Sequence, residues 1–214
     1  MKISLAVRLR ATTDTIKSGI LLVKGKVGEG GNKINWKETD GVPCTLGAEH
    51  ESLTGLVGGG GSGVKLRDGK LVFPVEGTKK KDADTEEGGK AVSLIIYSSD
   101  TESWTLSKGM SADGCGDPSV VEWGDDKLMM MTACEDGRRR VYESGDKGES
   151  WTEALGTLSR VWGNNHEGNE KCVRSGFITA NIGDGDDNKR NVMLVTLPVY
   201  SKEKKMKRAY SIFG

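Results

Sequence analysis

This 214-residue chain carries no net charge, because thirty-one Lys and Arg are matched by thirty-one Asp and Glu. No field of one sign is on offer to nucleic acid or to an anionic membrane, so neither is expected as a partner. The chain also lacks any apolar run near the ~18 residues of a membrane-spanning helix, so direct membrane insertion is not expected. The opening Met1–Arg10 holds an apolar patch too short and too interrupted for the core of a secretory leader. His50 and His166 have no Cys or second His beside them. Cys44, Cys115, Cys134 and Cys172 are far apart and form no C-x-x-C. Metal-ligand spacing is therefore missing, and no metal and no cofactor is expected. Four cysteines allow three pairings, and spacing selects none of them. No Asn-x-Ser/Thr acceptor for a glycan occurs.

What the chain has in plenty is glycine, thirty-one residues, about twice the usual share. Glycine at that density predicts many tight turns. Three hairpins repeat one pattern. Val64-Lys65-Leu66 turns at Arg67-Asp68-Gly69 into Lys70–Phe73, Val120–Trp123 turns at Gly124-Asp125-Asp126 into Lys127–Met130, and Phe177–Ala180 turns through 183–187 into Asn191–Leu194. Apolar and β-branched runs separated by Asp and Gly are hairpin signals. Leu71, Leu128 and Met193 stand 57 and 65 residues apart, near the upper end of repeat periods.

After each of the first two hairpins comes a further strand and then a marked turn. Ser144-Gly145-Asp146-Lys147-Gly148-Glu149-Ser150-Trp151 reads Ser-x-Asp-x-Gly-x-(Ser/Thr)-Trp, the pattern called the Asp box. In such a turn the Asp carboxylate accepts backbone N–H groups, Gly takes a positive φ, and Trp folds back as an apolar plug between sheets. Ser98-Ser99-Asp100-Thr101-Glu102-Ser103-Trp104 keeps Ser98, Asp100 and Trp104 and lacks the Gly. Two boxes, each after a strand, predict an all-β fold with antiparallel sheets of up to four strands, the content of a propeller blade. A Gly-rich β-sandwich shares the hairpins but not the paired boxes.

The stretch from about residue 91 to residue 198 resembles the trypanosome trans-sialidase superfamily of surface sialidases and their inactive relatives. Leu94–Ser98, Cys115–Trp123, Arg138–Trp151 and Gly156–Asn164 carry the resemblance, with weaker matches at Phe73-Pro74-Val75 and Ile20–Gly25. It implies a partial six-bladed sialidase β-propeller of about three to four blades spanning 18–208, between a non-family extension at 1–17 and a tail at 209–214. It also implies exo-α-sialidase descent, sialylated glycans or host glycoproteins as partners, and a cell-surface or secreted location.

Active members clamp the sialic acid carboxylate with three arginines, whose planar forks suit that group. A Tyr activated by a Glu makes the attack and an Asp serves as acid/base. By resemblance the family's Glu falls at Asp117, within Cys115-Gly116-Asp117-Pro118. One methylene fewer retracts the carboxylate by roughly 1.5 Å, and an error of about 1 Å can cost about 10²-fold. The central Arg falls at Ala133, whose methyl holds no carboxylate. A Gln of the family falls at Glu76, after Phe73-Pro74-Val75, and the third Arg falls near Lys207 and Arg208. The Tyr nucleophile is expected beyond Gly214, and the first Arg and the acid/base Asp before the start. The expected product is a catalytically inactive member, with a non-enzymatic glycan- or host-protein-binding surface protein, or a truncated gene product, as the alternative.

Other motifs read as structure. Gly58–Gly63 satisfies G-x-G-x-x-G in form, but a strand follows where that fingerprint needs a helix, so a turn connecting blades is expected. Arg138, Arg139 and Arg140 read as strand-face charges. Lys79-Lys80-Lys81 precedes an acidic run and reads as a solvated loop. Glu122 with Asp125-Asp126 flanks a turn, and Met129-Met130-Met131 reads as packing between blades.

Overall fold

Period-two alternation decides the faces of the strands. In 91–98, Val92, Leu94 and Ile96 join one buried cluster while Ile95 joins another on the opposite face. In 127–134, Leu128 and Met130 point one way and Met129 and Met131 the other. The computed structural model describes residues 2–6, 21–31, 33–36, 40–41, 52–59, 61–80, 89–124, 127–154, 159, 176–183, 189–200 and 206–213. They form four sheets, and every ladder among them is antiparallel.

The first sheet holds β1 (Lys2–Ala6), β2 (Leu21–Val27), β3 (Ile34–Trp36) and β4 (Asp40–Gly41), with β2 pairing all three others. Strand β1 thus lies within the segment expected to be an extension. The second sheet holds β5 (Leu53–Gly58), β6 (Val64–Lys65), β7 (Leu71–Lys79), β8 (Ala91–Ser98) and β9 (Thr105–Leu106). The third runs β10 (Cys115–Trp123), β11 (Lys127–Cys134), β12 (Arg139–Ser144) and β13 (Thr152–Glu153) in chain order. The fourth is β14 (Phe177–Ile182), β15 (Arg190–Tyr200) and β16 (Met206–Phe213). The three hairpins fall at β6–β7, β10–β11 and β14–β15, and the box turns join β8 to β9 and β12 to β13.

The second sheet has five strands rather than four, because its outermost strand is broken. Strands β5 and β6 both pair with β7, at its end and its beginning, and residues 59–63 lie between them. The glycine run is therefore a break within one sheet edge, not a turn connecting two sheets. Tertiary contact explains the glycines. A Cβ at Gly59 would press on Pro118 O and Pro74 O, one at Gly61 on Ser119, and one at Gly63 would overlap the Phe73 ring. Gly59 N donates to Pro74 O (2.9 Å) and Gly61 N to Pro118 O (3.3 Å). Pro74, which has no N–H, sits in an inner strand where its neighbour's ladder is interrupted.

Two cores stitch successive sheets. Leu66, Val72, Ile95, Val120, Leu128, Met130 and Tyr142 fill the space between the second and third sheets. Val121, Met129, Met131, Val141, Phe177, Met193 and Val195 fill that between the third and fourth. The three methionines thus pack on both sides of the third sheet, as their place in a strand suggested. At the hairpin ends, Lys147 Nζ meets Asp68 Oδ2 (2.7 Å), and Arg67 N donates to Glu122 Oε1 (3.2 Å). Lys147 holds the Asp68 carboxyl below its ordinary range.

Candidate functional site

Strand β10 begins against the second sheet. Ser93 Oγ donates to Cys115 O (2.9 Å), as does Ser111 Oγ (3.3 Å), and Gly114 N donates to Ala91 O (2.9 Å). Cys115 pairs with Cys134 across the β10–β11 ladder, and the two form a buried disulfide. Of the three pairings open from sequence, the register decides this one, and Cys44 and Cys172 lie outside the described residues. The next row is Gly116 opposite Ala133, and beyond it the register shifts before Ser119. Asp117 and Pro118 are the residues of that bulge.

Three of the residues singled out by sequence meet here. Glu76, in the middle of β7, accepts the Asp117 N–H at its Oε2 (2.7 Å). Asp117 has φ +50°, in the left-handed region that few non-glycine residues occupy. Ala133 lies one ladder row away, across from Gly116. Glu76, Gly116, Asp117 and Ala133 are half-exposed, while Cys115, Pro118, Ser119, Thr132 and Cys134 around them are buried. Lys207 lies in β16 of the fourth sheet, opposite Val199.

Two features at or beside this row escape single-sequence reasoning. Gly116 is one, because a Cβ there would overlap the Glu76 carboxylate. Its only signal was a glycine at the free position of Cys-x-Glu-Pro. Arg139 is the other. It stands opposite Ala133 in β12 and is only 5% exposed, so it is not the strand-face charge that its run of arginines suggested. Arg138 is exposed, and Arg140 Nη2 pairs with Asp136 Oδ2 (2.9 Å). Lys79, near the end of β7, pairs with Asp113. Among the described residues no group of three or more His, Cys, Asp or Glu could hold a metal ion, and no helix is long and apolar enough to cross a membrane.

The box turns each lie between the last two strands of their sheets, β8–β9 and β12–β13. In one, Asp100 Oδ1 accepts from Glu102 N and Ser103 N (both 2.8 Å) and from Ser98 Oγ (3.1 Å). In the other, Asp146 accepts from Ser150 N (2.9 Å), Ser150 Oγ (2.5 Å) and Ser144 Oγ (2.7 Å). The amides of Ser103 and Glu102 bring Asp100 down to about 2, and the hydroxyls of Ser150 and Ser144 do the same for Asp146. Trp104 is buried against Phe73, Leu94 and Ile96, and Trp151 is half-buried against the core between the second and third sheets.

Residues 2–212 match a family model described as a BNR repeat-like domain. "Sialidase 85-1.1" of Trypanosoma cruzi is 40% identical over 176 residues, 79% of this chain and 21% of the relative. A second Trypanosoma cruzi "Sialidase" is 35% identical over 192 residues, 86% of this chain and 15% of the relative. The chain thus spans about a fifth or less of these relatives. Among solved structures, Trypanosoma rangeli sialidase in complex with sialic acid superposes with a TM-score of 0.73 at 28% identity, over 98% of this chain and 35% of that one. A complex of that sialidase with the inhibitor DANA gives 0.71 at 27% identity, over 98% and 36%.

Proposed function

This chain belongs to the sialidase and trans-sialidase superfamily with its BNR-repeat propeller, and from that premise we propose that it neither hydrolyses nor transfers sialic acid. Exo-α-sialidase chemistry is the family's, and this chain keeps the frame of it. One observation carries the reading: the ladder row next to Asp117, Gly116 opposite Ala133, offers a methyl where the resemblance puts the family's arginine.

Sialic acid is anionic at neutral pH, so its carboxylate needs a cation or strong donors. Losing a charged hydrogen-bond partner removes roughly 1.5–3 kcal/mol. Glu76 adds a negative charge at the neighbouring position, where the family's Gln has none. Of the nearby cations, Lys79 is engaged by Asp113, and Arg139 is buried in the strand beyond Ala133. The shorter Asp117 then stands at the position of the base. Each change acts in the same direction, and effects within one site do not add.

Sialylated glycans or host glycoproteins are the partners proposed with this reading, supported by sialidase neighbours solved with sialic acid and an inhibitor. A cell-surface or secreted location is proposed as well. The Cys115–Cys134 bridge supports it, because disulfides persist in oxidising compartments.

The test is release of a fluorophore from a sialic acid conjugate, run beside transfer to lactose, with an active sialidase as positive control. The purified chain is expected to match its heat-inactivated sample in both assays. Turnover above that blank overturns the proposal.

A further inference from the structure

Resemblance made Glu76 a sugar contact, yet its carboxylate is committed to the main chain. The bulge after Gly116 takes Asp117 and Pro118 out of the β10–β11 ladder. Proline brings no N–H, so the Asp117 amide is the one donor that the bulge must satisfy, and an amide partly shielded from water is costly to leave without an acceptor. Glu76 supplies the acceptor from the neighbouring sheet, at 2.7 Å. The other side of the bulge is held by the glycine break, through Gly61 N to Pro118 O at 3.3 Å.

The seat for this carboxylate exists because residue 116 is glycine. Any Cβ there would overlap Glu76 Oε2 and lie 2.9 Å from Cδ. Gly116 is not among the residues of positive φ, so its backbone tolerates a side chain and only the space forbids one. Asp117, by contrast, holds a left-handed conformation, which aspartate tolerates better than most residues but which still lies above its ordinary conformation. The carboxylate acceptor on its amide adds a contact from outside the residue that favours this conformation.

We propose that Glu76 is the positioning residue of this site: seated in the space left by Gly116, it fixes the bulge and so aims the Asp117 carboxylate. Glu76, Gly116 and Asp117 are one unit, and the function of any one is conditional on the other two. The proposal rests on the reading that Asp117 stands at the family's carboxylate position. It also implies that lengthening Asp117 to Glu alone does not rebuild the family's geometry, because the backbone beneath it is set by Glu76.

The experiment is amide hydrogen exchange on the 15N-labelled full chain, read at Asp117 against Met130 and Tyr142 as global references. Glu76→Ala is expected to lower protection at Asp117 by about 10- to 100-fold, the equivalent of a hydrogen bond to a charged group. Glu76→Gln, which keeps an acceptor oxygen, is expected to restore most of it. Gly116→Ala evicts the carboxylate and should match Glu76→Ala, and the double variant should be no worse than either. Unchanged exchange in Glu76→Ala, no rescue by Gln, an additive double variant, or equal losses at Met130 and Tyr142 would each overturn the assignment. Turnover of a sialoside would sink the inactive reading and leave this exchange pattern standing, so the two failures are distinguishable.

Discussion

The turns Ser98–Trp104 and Ser144–Trp151 occupy the same place in successive sheets, yet they solve the backbone problem differently. The first is one residue shorter between its Ser and its Trp. It reverses the chain with a single left-handed residue, Thr101 at φ +68°. The longer one uses two in succession, Lys147 at +59° and Gly148 at +96°. In both, the serine hydroxyl donates to the aspartate and accepts an amide from the turn, from Thr101 (2.9 Å) or from Gly148 (2.8 Å). The glycine thus serves the extra residue and not the box as such. What the two share is the Ser–Asp pair and a Trp carried back onto the sheet.

The tryptophans differ in depth, against the order that motif quality suggests. Trp104, from the turn without glycine, is 3% exposed, with its ring 5.5 Å from that of Phe73. Trp151, from the intact pattern, is only half-buried. Neither indole N–H has an acceptor among the described residues, so both rings stabilise through apolar area. Trp104→Ala is therefore expected to cost about 3–5 kcal/mol, the range for a large buried aromatic. Trp151→Ala should cost about half of that, in proportion to the area it buries. Urea unfolding of the two variants checks the order. A larger loss at Trp151 would mean that pattern, and not burial, ranks the turns.

Gly148 offers a second, smaller probe. Its Cβ would overlap Ile95 Cδ1 of the neighbouring sheet, and its φ of +96° is one that residues with side chains rarely adopt. Gly148→Ala is expected to destabilise by about 1–3 kcal/mol, from strain and overpacking together. Pairing it with Ile95→Val should return part of that loss by opening space. If the double variant is simply additive, contact with Ile95 is not what requires glycine there.

How far the sequence could be read follows from the range of each signal. Hairpins such as β6–β7 and β10–β11 were legible because period-two patterning and Asp/Gly turns are local. The glycine break was misread because local composition does not distinguish a loop between sheets from a gap within an edge. Contacts with Pro118, Ser119, Phe73 and Pro74 in other strands show why side chains are excluded there. Arg139 was misread for a similar reason. A run of three arginines looks solvated, and its burial follows from the register that sets Arg139 beside Ala133. At the site, resemblance supplied positions 76, 117 and 133. The hydrogen bond between Glu76 and Asp117 spans 41 residues and two sheets, and no spacing rule foretells it.

The smallest expected effect uses one substitution in both turns. Thr101 is β-branched and left-handed, a pairing that costs about 1–2 kcal/mol relative to an ordinary conformation. Asn tolerates that region better, through local hydrogen bonding of its short side chain. No hydrogen bond of the Thr101 hydroxyl offsets the gain among the described contacts, so Thr101→Asn should stabilise by roughly 0.5–1 kcal/mol. Lys147→Asn relieves less, because an unbranched residue is less crowded at positive φ. It also removes the ion pair with Asp68, which is half-exposed and contributes about 0–1 kcal/mol. Its net effect should be zero or destabilising. The readout is the urea midpoint at constant slope, which separates stability from a change in the unfolded state. If both variants stabilise equally, the Lys147–Asp68 bridge between sheets contributes nothing. If neither does, Thr101 is held in place by the Ser98–Asp100 pair at no cost, and the shorter turn is as relaxed as the longer one.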